Sequence, residues 1–364
     1  MTQPTCNGCF RRSKDYNMGK YIVKRMAYML VVLLLLSFLM FMIYQLMPNN
    51  RAYTDAKAWL QSQKNTIKPE DVDAAFDKKY KEFQIQYGTD TDNKLVRYAR
   101  WMGFAPLSNG QYNGILQGNF GYSYELKGDV VDVVAEPMKN TIFINIFATI
   151  AALAITIPLG ILCAVKRGGK LDSAVNVITI IGYSLPTFLV AILFVWIFCS
   201  NLGWLPPSGM STPGNEFTGF RALADRLYYL ILPLMAMTFC SLGGMTRYVR
   251  ASMIESLSMD CIKTARAKGL REKVVIFSHA WRNALIPVVT LVVGWFLGIF
   301  SGSIVFEETF GLNGMGALMI KGVRTADFDL VMFVALFYVI LSLAGNLIID
   351  IVYGLVDPRV RVNK

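Results

Sequence analysis

Charge is what this sequence most conspicuously lacks. No Asp, Glu, Lys or Arg occurs in six runs, 26–50, 140–165, 173–215, 227–246, 283–306 and 330–349, each of at least 20 residues. Ion- and proton-coupled carriers are expected to place ionisable groups at membrane depth, so their absence argues against an autonomous channel or secondary carrier. Histidine is nearly absent, with His279 standing alone, and there is no H-E-x-x-H or G-x-S-x-G. A membrane-embedded enzyme would need a nucleophile–base or metal constellation, and none is present. No G-x-x-x-x-G-K-[ST] occurs, so the chain has no phosphate-cradling loop of its own. Cysteine is missing from the long polar region 48–139, which removes a disulfide framework there. Cys6 and Cys9 form a lone C-x-x-C on a polar N-terminal tail, with no second pair or packed βαβ context to give it metal or redox work.

What is present is apolar. The 364 residues are 54% hydrophobic, with a mean hydropathy of +0.42, outside the range of ordinary soluble domains. A run of 20 residues crosses roughly 30 Å of hydrocarbon as a helix, so the runs predict six transmembrane helices. Strands of a barrel would alternate in polarity, and these runs do not. The third run has room for a span and the loop Gly203-Trp204-Leu205-Pro206-Pro207-Ser208-Gly209. With the N-terminus inside, the cytoplasmic pieces carry 20 Lys and Arg against 7 Asp and Glu, and the outer pieces 16 against 18. This positive-inside bias accounts for the net charge of +11 through basic, lipid-facing edges, so nucleic acid is not an expected partner.

In chain order, 1–20 is a polar cytoplasmic tail and 21–47 the first transmembrane helix, which is too long and too poorly followed by small residues to be a cleaved signal. Residues 48–139 form an extracellular insertion. A helix is expected near Thr54 to Gln63, and a better one opens at Pro69 with Glu70, Asp71 and Asp73 near its positive end. Val72, Phe76, Tyr80, Phe83 and Tyr87 make one stripe, ended by Gly88, and a third helix follows from Asp92 to Met102. The stripe is read either as a helical cap packed on itself or as a surface for an extracellular substrate-delivery protein. The remaining spans are expected at about 141–165, 174–200, 227–247, 284–306 and 330–353, with a cytoplasmic loop at 248–283 and a tail at 357–364. Ser184-Leu185-Pro186 reads as a kink or as part of a path, and Glu307 and Glu308 as an outer gate or as solvated ends of a helix.

The polar interruption at 260–287 holds a basic, helix-prone stretch, Asp260 to Lys268, then Gly269, Leu270, His279, Arg282, Asn283 and Pro287. One reading is an amphipathic loop held at lipid headgroups by its basic residues. The other is a contact for an external motor, because a spanning bundle without an ATP site of its own needs one.

These segments resemble the permeases of ATP-binding-cassette importers of type I architecture, in the dipeptide/oligopeptide/nickel branch. The resemblance covers roughly 19–47 and 118–361. It rests on Gly118-Asn119-Phe120-Gly121, Asn140-Thr141, Gly182-Tyr183-Ser184-Leu185-Pro186, Gly203-Trp204-Leu205-Pro206, Thr264-Ala265-Arg266-Ala267-Lys268-Gly269-Leu270, His279-Ala280-Trp281-Arg282-Asn283-Ala284-Leu285-Ile286-Pro287, the segment from Glu307 to Gly316, and Asp357-Pro358-Arg359. The wider permease loop pattern places Glu-Ala-Ala on Lys263-Thr264-Ala265 and a glycine on Gly269, and only Ala265 and Gly269 match it strictly; the rest follows the peptide branch.

The resemblance implies an all-α integral membrane protein of six transmembrane helices, with a large helical extracellular insertion between helices one and two, on the type I permease fold. It implies a short coupling helix lying in a groove of an ATPase and built from Asp260, Lys263, Thr264, Ala265, Arg266, Ala267, Lys268, Gly269 and Leu270. His279 reads as a residue that packs the loop, with Arg282 and Asn283, or else as a proton relay. The chain would import short peptides, or alternatively nickel or another small solute. Its partners would be a homologous second permease subunit, two ATPase subunits that hold ATP and Mg, and an extracellular substrate-binding protein. The chain itself would bind no cofactor or metal. Its place would be the cytoplasmic membrane of a bacterium, with both termini cytoplasmic.

Overall fold

The computed structural model describes residues 18–46, 51–63, 67, 71–215 and 217–356. In chain order its helices are α1 (Met18–Tyr44), α2 (Arg51–Ser62), α3 (Val72–Gln86), α4 (Lys94–Met102), α5 (Val130–Val165), α6 (Lys170–Ser184), α7 (Thr187–Phe194), α8 (Gly219–Ser258), α9 (Asp260–Ala267), α10 (Glu272–Val274), α11 (Trp281–Gly298), α12 (Ile304–Thr309), α13 (Met315–Arg324) and α14 (Phe328–Val356). A short antiparallel hairpin pairs β1 (Tyr122–Ser123) with β2 (Gly128–Asp129), Tyr122 opposite Asp129. The tails 1–17 and 357–364, with Cys6, Cys9 and Asp357-Pro358-Arg359, lie outside the described residues, as do Pro69 and Glu70.

Among the described residues, four helices are long and apolar enough to span a membrane: Ile22–Tyr44, Val130–Val165, Gly219–Ser258 and Phe328–Ile351. The other two expected spans are broken. Lys170–Ser184 and Thr187–Asn201 meet at 108°, and Glu272–Leu285 and Pro287–Phe296 at 53°. The first break is far more than the expected kink. Its cause is local: Leu185 precedes Pro186, which disfavours the helical region for Leu185, and both residues are extended (ψ 136° in each).

Helix ends depart from the sequence expectation elsewhere. The helix expected to begin near 141 begins at Val130. Asp132, Glu136 and Lys139 interrupt the apolar run, but they lie exposed while Val130, Val134, Pro137 and Thr141 are buried, an amphipathic spacing that suits a helical entry. Residues 248–258, expected in a loop, continue α8 to Ser258. The span expected to reach 306 stops at Gly298, and α12 begins again at Ile304. Helix α13 and the hairpin were not anticipated.

The chain forms two compact units. One is Leu30–Glu136 with Leu318–Val339; the other is Pro137–Ala317 with the described parts of Met1–Met29 and Ile340–Lys364. In the first, α2 and α3 join through rings: Tyr53 sits edge-on to Phe76 at 5.3 Å and to Tyr80 at 6.2 Å. Helix α3 itself has no buried residue, so the stripe packs on α2 and remains partly open. Phe41 of α1 meets Tyr98, Trp101 and Phe328. The hairpin is tied to the start of α14 by Ser123 Oγ donating to Asp327 Oδ2 (2.6 Å) and the Tyr122 N–H donating to Asp329 Oδ2 (3.1 Å).

The second unit has two apolar cores. One joins Ile144, Val190, Leu230, Ala236 and Phe310. The other joins Ile161 of α5, Val249 and Met253 of α8, Ile262 of α9, and Ala284 and Val288 of α11. Close approach of α5 and α8 depends on Gly160, where a Cβ would stand 2.7 Å from the Val249 Cβ.

Candidate functional site

Helix α9 is short, with no side-chain cap at Met259 and a defined stop at its other end. Asp260 lies in its first turn and Arg266 in its last, each favoured by the helix dipole. At its end the Gly269 N–H donates to Arg266 O (2.9 Å) and the Leu270 N–H to Ala265 O (3.4 Å), the paired bonds of a Schellman stop. Gly269 takes φ +75° with open space around its Cα, so the glycine answers a backbone requirement rather than a packing one.

The helix has two distinct faces. Ile262 and Ala265 are buried in the core shared by α5, α8 and α11. Asp260, Lys263, Thr264, Arg266, Ala267 and Lys268, followed by Gly269 and Leu270, are exposed. Lys263 pairs with Asp260 (2.8 Å) and Arg266 with Glu272 (2.6 Å), the latter tying α9 to α10. These are exposed pairs and hold orientation more than stability. The face that is open to another molecule is therefore small and cationic, on a helix whose opposite face is fixed to the spanning bundle.

The chain returns through α10 and a π-helical segment, Val275–Ala280. His279 and Arg282, expected to pack this return, are exposed; Asn283 reaches back to Cys261 Sγ (3.8 Å). Packing falls instead to Val275, Ile276 and Ala280, because the widened turn directs these three into the core. Ser256 Oγ, buried on α8, donates to the carbonyl of Ala280 (2.6 Å).

At the other candidate segment, Glu307 and Glu308 separate completely. Glu308 is exposed, whereas Glu307 is 4% exposed. Thr141 Oγ1 donates to Glu307 Oε1 (3.0 Å) and the Ala317 N–H to Oε2 (2.9 Å). Gly302, Gly314 and Gly316 enclose the carboxylate; a Cβ on Gly314 would lie 2.5 Å from Glu307 Cδ. Burial pushes the Glu307 carboxyl up, against the lowering effect of the Ala317 N–H, the Thr141 hydroxyl and the Gly316 and Ser303 N–H groups. Beside it Asn140 donates to Asn313 O (2.8 Å) and accepts from Arg226 (2.6 Å), whose guanidinium lies 4.4 Å from the Phe143 ring. Ser184 and Pro186 are exposed at the α6–α7 break.

Sequence reasoning passed over one ionic site. Asp172, in the first turn of α6, accepts from Arg250 Nε (2.7 Å) and Nη2 (2.8 Å) on α8. Asp172 borders the uncharged run that begins at Ser173, which was the available signal for it, whereas Arg250 lies beyond Arg247, the residue that closes the run ending at Thr246.

With this geometry in place, the likenesses to known proteins are informative. Residues 156–362 match the family described as "Binding-protein-dependent transport system inner membrane component". The oligopeptide transport system permease protein AppB of Bacillus subtilis is 35% identical over 280 residues, 77% of this chain and 84% of the relative. The oligopeptide transport system permease protein OppB of Haemophilus influenzae is 35% identical over 246 residues, 67% of this chain and 76% of the relative. Among solved structures, a chain of the MetNI methionine ABC transporter in inward-facing conformations matches at TM-score 0.46 and 16% identity, over 61% of this chain and 97% of that one. The matched stretch takes in α8, α9, α11 and the Glu307 segment, and by that match this chain belongs to the family of inner-membrane components of binding-protein-dependent transport systems.

Proposed function

We propose that the chain is the permease subunit of an ATP-driven importer of short peptides. The peptide substrate is carried over from the two oligopeptide permeases it resembles. In this reading a binding protein outside the membrane delivers the peptide, and a second, homologous permease completes the path. Two ATPase subunits, which hold ATP and Mg, dock on α9. The α9 end and both termini face the cytoplasm, and the insertion faces outward.

The observation that carries the proposal is the two-faced build of α9. Ile262 and Ala265 lock the helix into the core of α5, α8 and α11, while Lys263, Thr264, Ala267 and Lys268 face away. A push on the exposed face therefore moves the bundle. ATP drives the change only through its different affinity for two arrangements of its own subunits, so the mechanical contact must be specific to one helix face.

The test is Ala267→Trp, a bulky change on the exposed face, in the full complex reconstituted in liposomes. Uptake and binding-protein-stimulated ATP hydrolysis should fall at least tenfold while the chain stays inserted. Uptake within twofold of wild type would remove α9 as the docking helix. Reporter fusions placing Asp260 outside the cell would overturn the orientation.

A further inference from the structure

Helices α6 and α8 run antiparallel and touch at three levels. A Cβ on Gly182 would meet Phe239 O at 3.1 Å, and one on Gly243 would meet Thr179 O at 2.7 Å, so the two backbones are in near contact over the end next to the α6–α7 break. At the end next to α9 small residues give way to a single ionic fork, Asp172 with Arg250.

The fork is fully used. Asp172 Oδ1 accepts from Arg250 Nε (2.7 Å) and Asn176 Nδ2 (3.1 Å); Oδ2 accepts from Arg250 Nη2 (2.8 Å) and the Gly168 N–H (2.9 Å). The carboxylate side chain is 4% exposed. Parting the pair would leave a buried charge without its partner, which strongly opposes separation, and the planar guanidinium fixes the angle as well as the distance. The same carboxylate caps the turn at Gly168, so the link between α5 and α6 is held by the same atoms.

We infer that Asp172 and Arg250 are a positioning pair that carries displacement of α9 into α6 and so to the bend at Leu185 and Pro186. The inference rests on the permease reading above. Only Met259 separates α8 from α9, so a push on α9 enters α8 within one residue. The fork is met ten residues before α9 begins, and it obliges the first turn of α6 to follow. Beyond Ser184 the chain turns by 108° into α7, which is where relative motion is absorbed. Ser184 and Pro186, exposed at that bend, are thereby connected to α9.

The experiment uses the full complex with its ATPase subunits and binding protein in liposomes. Arg250→Gln and Asp172→Asn both break the ion pair, and Arg250→Lys keeps the charge without the fork. A transmitting pair, once broken, leaves the ATPase subunits bound and hydrolysis without binding protein within twofold of wild type. Uptake and binding-protein-stimulated hydrolysis fall at least tenfold, with Arg250→Lys between the extremes. A merely structural pair would lower assembly, hydrolysis and uptake together. If only one of the two broken variants assembles, that one decides. Uptake within twofold in the assembled variants overturns the inference, and so does loss of assembly in both, which would make the pair a folding element. A wild-type complex without ATP-dependent uptake would instead strike the permease reading itself.

Discussion

The hydroxyl of Thr141 holds Glu307 from a distance of 166 residues in sequence: it donates to Oε1 at 3.0 Å while accepting the Met315 N–H at 2.8 Å. One small side chain near the start of the α5 membrane segment thus satisfies both a buried carboxylate and the first amide of α13. Replacing it by valine keeps the shape and removes both bonds. Thr141→Val should cost about 1–3 kcal/mol, the penalty for leaving buried polar groups without partners. The apparent melting temperature in detergent should fall, and Thr141→Ser should restore most of it.

The Glu307 carboxyl gives a pH dependence of definite sign. Burial raises its folded pKa above the unfolded one. Its contribution to stability is therefore complete below the ordinary carboxylate range and is lost as the pH climbs through the raised folded value. Melting temperature measured against pH should decline across that window in the wild-type chain. Glu307→Gln, which does not titrate, should remove that part of the slope; an unchanged profile would show that Glu307 ionises freely.

Much of this was legible in the sequence, and the part that was not has physical reasons. Uncharged runs locate spans because burying charge in hydrocarbon is costly, and α9 was legible because Asp260, the basic residues and Gly269 mark both of its ends. The Leu185-Pro186 break was located but underestimated, since a proline reports where a helix is disturbed and not through what angle. Burial of Glu307 was hidden because a carboxylate at the edge of an apolar run looks the same whether it is solvated or enclosed. Only tertiary approach brings Gly302, Gly314 and Gly316 around it. The Asp172–Arg250 pair spans 78 residues, and nothing local in either stretch announces the other. The π-helical turn at Val275–Ala280 leaves the composition of the segment unchanged, so the outward placement of His279 and Arg282 was not readable either.

Two alanines of α9, two residues apart, should behave in opposite ways. Ala265 is 5% exposed among Ile262, Val275 and their neighbours, whereas Ala267 is on the open face. Ala265→Leu forces extra volume into a packed core, at about 1–3 kcal/mol. Ala267→Leu should stay within about 0.5 kcal/mol. Thermal unfolding of the isolated chain in detergent reads the difference directly. Equal losses would mean that α9 is not seated by the Ala265 face.

Gly269 separates conformational need from space. Its φ of +75° lies in the left-handed region, yet no atom stands within 4 Å of where a Cβ would go. Substitution should therefore cost only what an L-residue suffers in that conformation, about 1–2 kcal/mol for alanine. Asparagine, which tolerates the left-handed region, should lose less. Proline cannot adopt a positive φ and cannot donate the bond to Arg266 O, so it should unmake the stop of α9 altogether. The expected order in both melting temperature and ATP-dependent uptake is glycine, asparagine, alanine, proline. If alanine equalled glycine in both measurements, the left-handed stop would have no part in holding α9 in place.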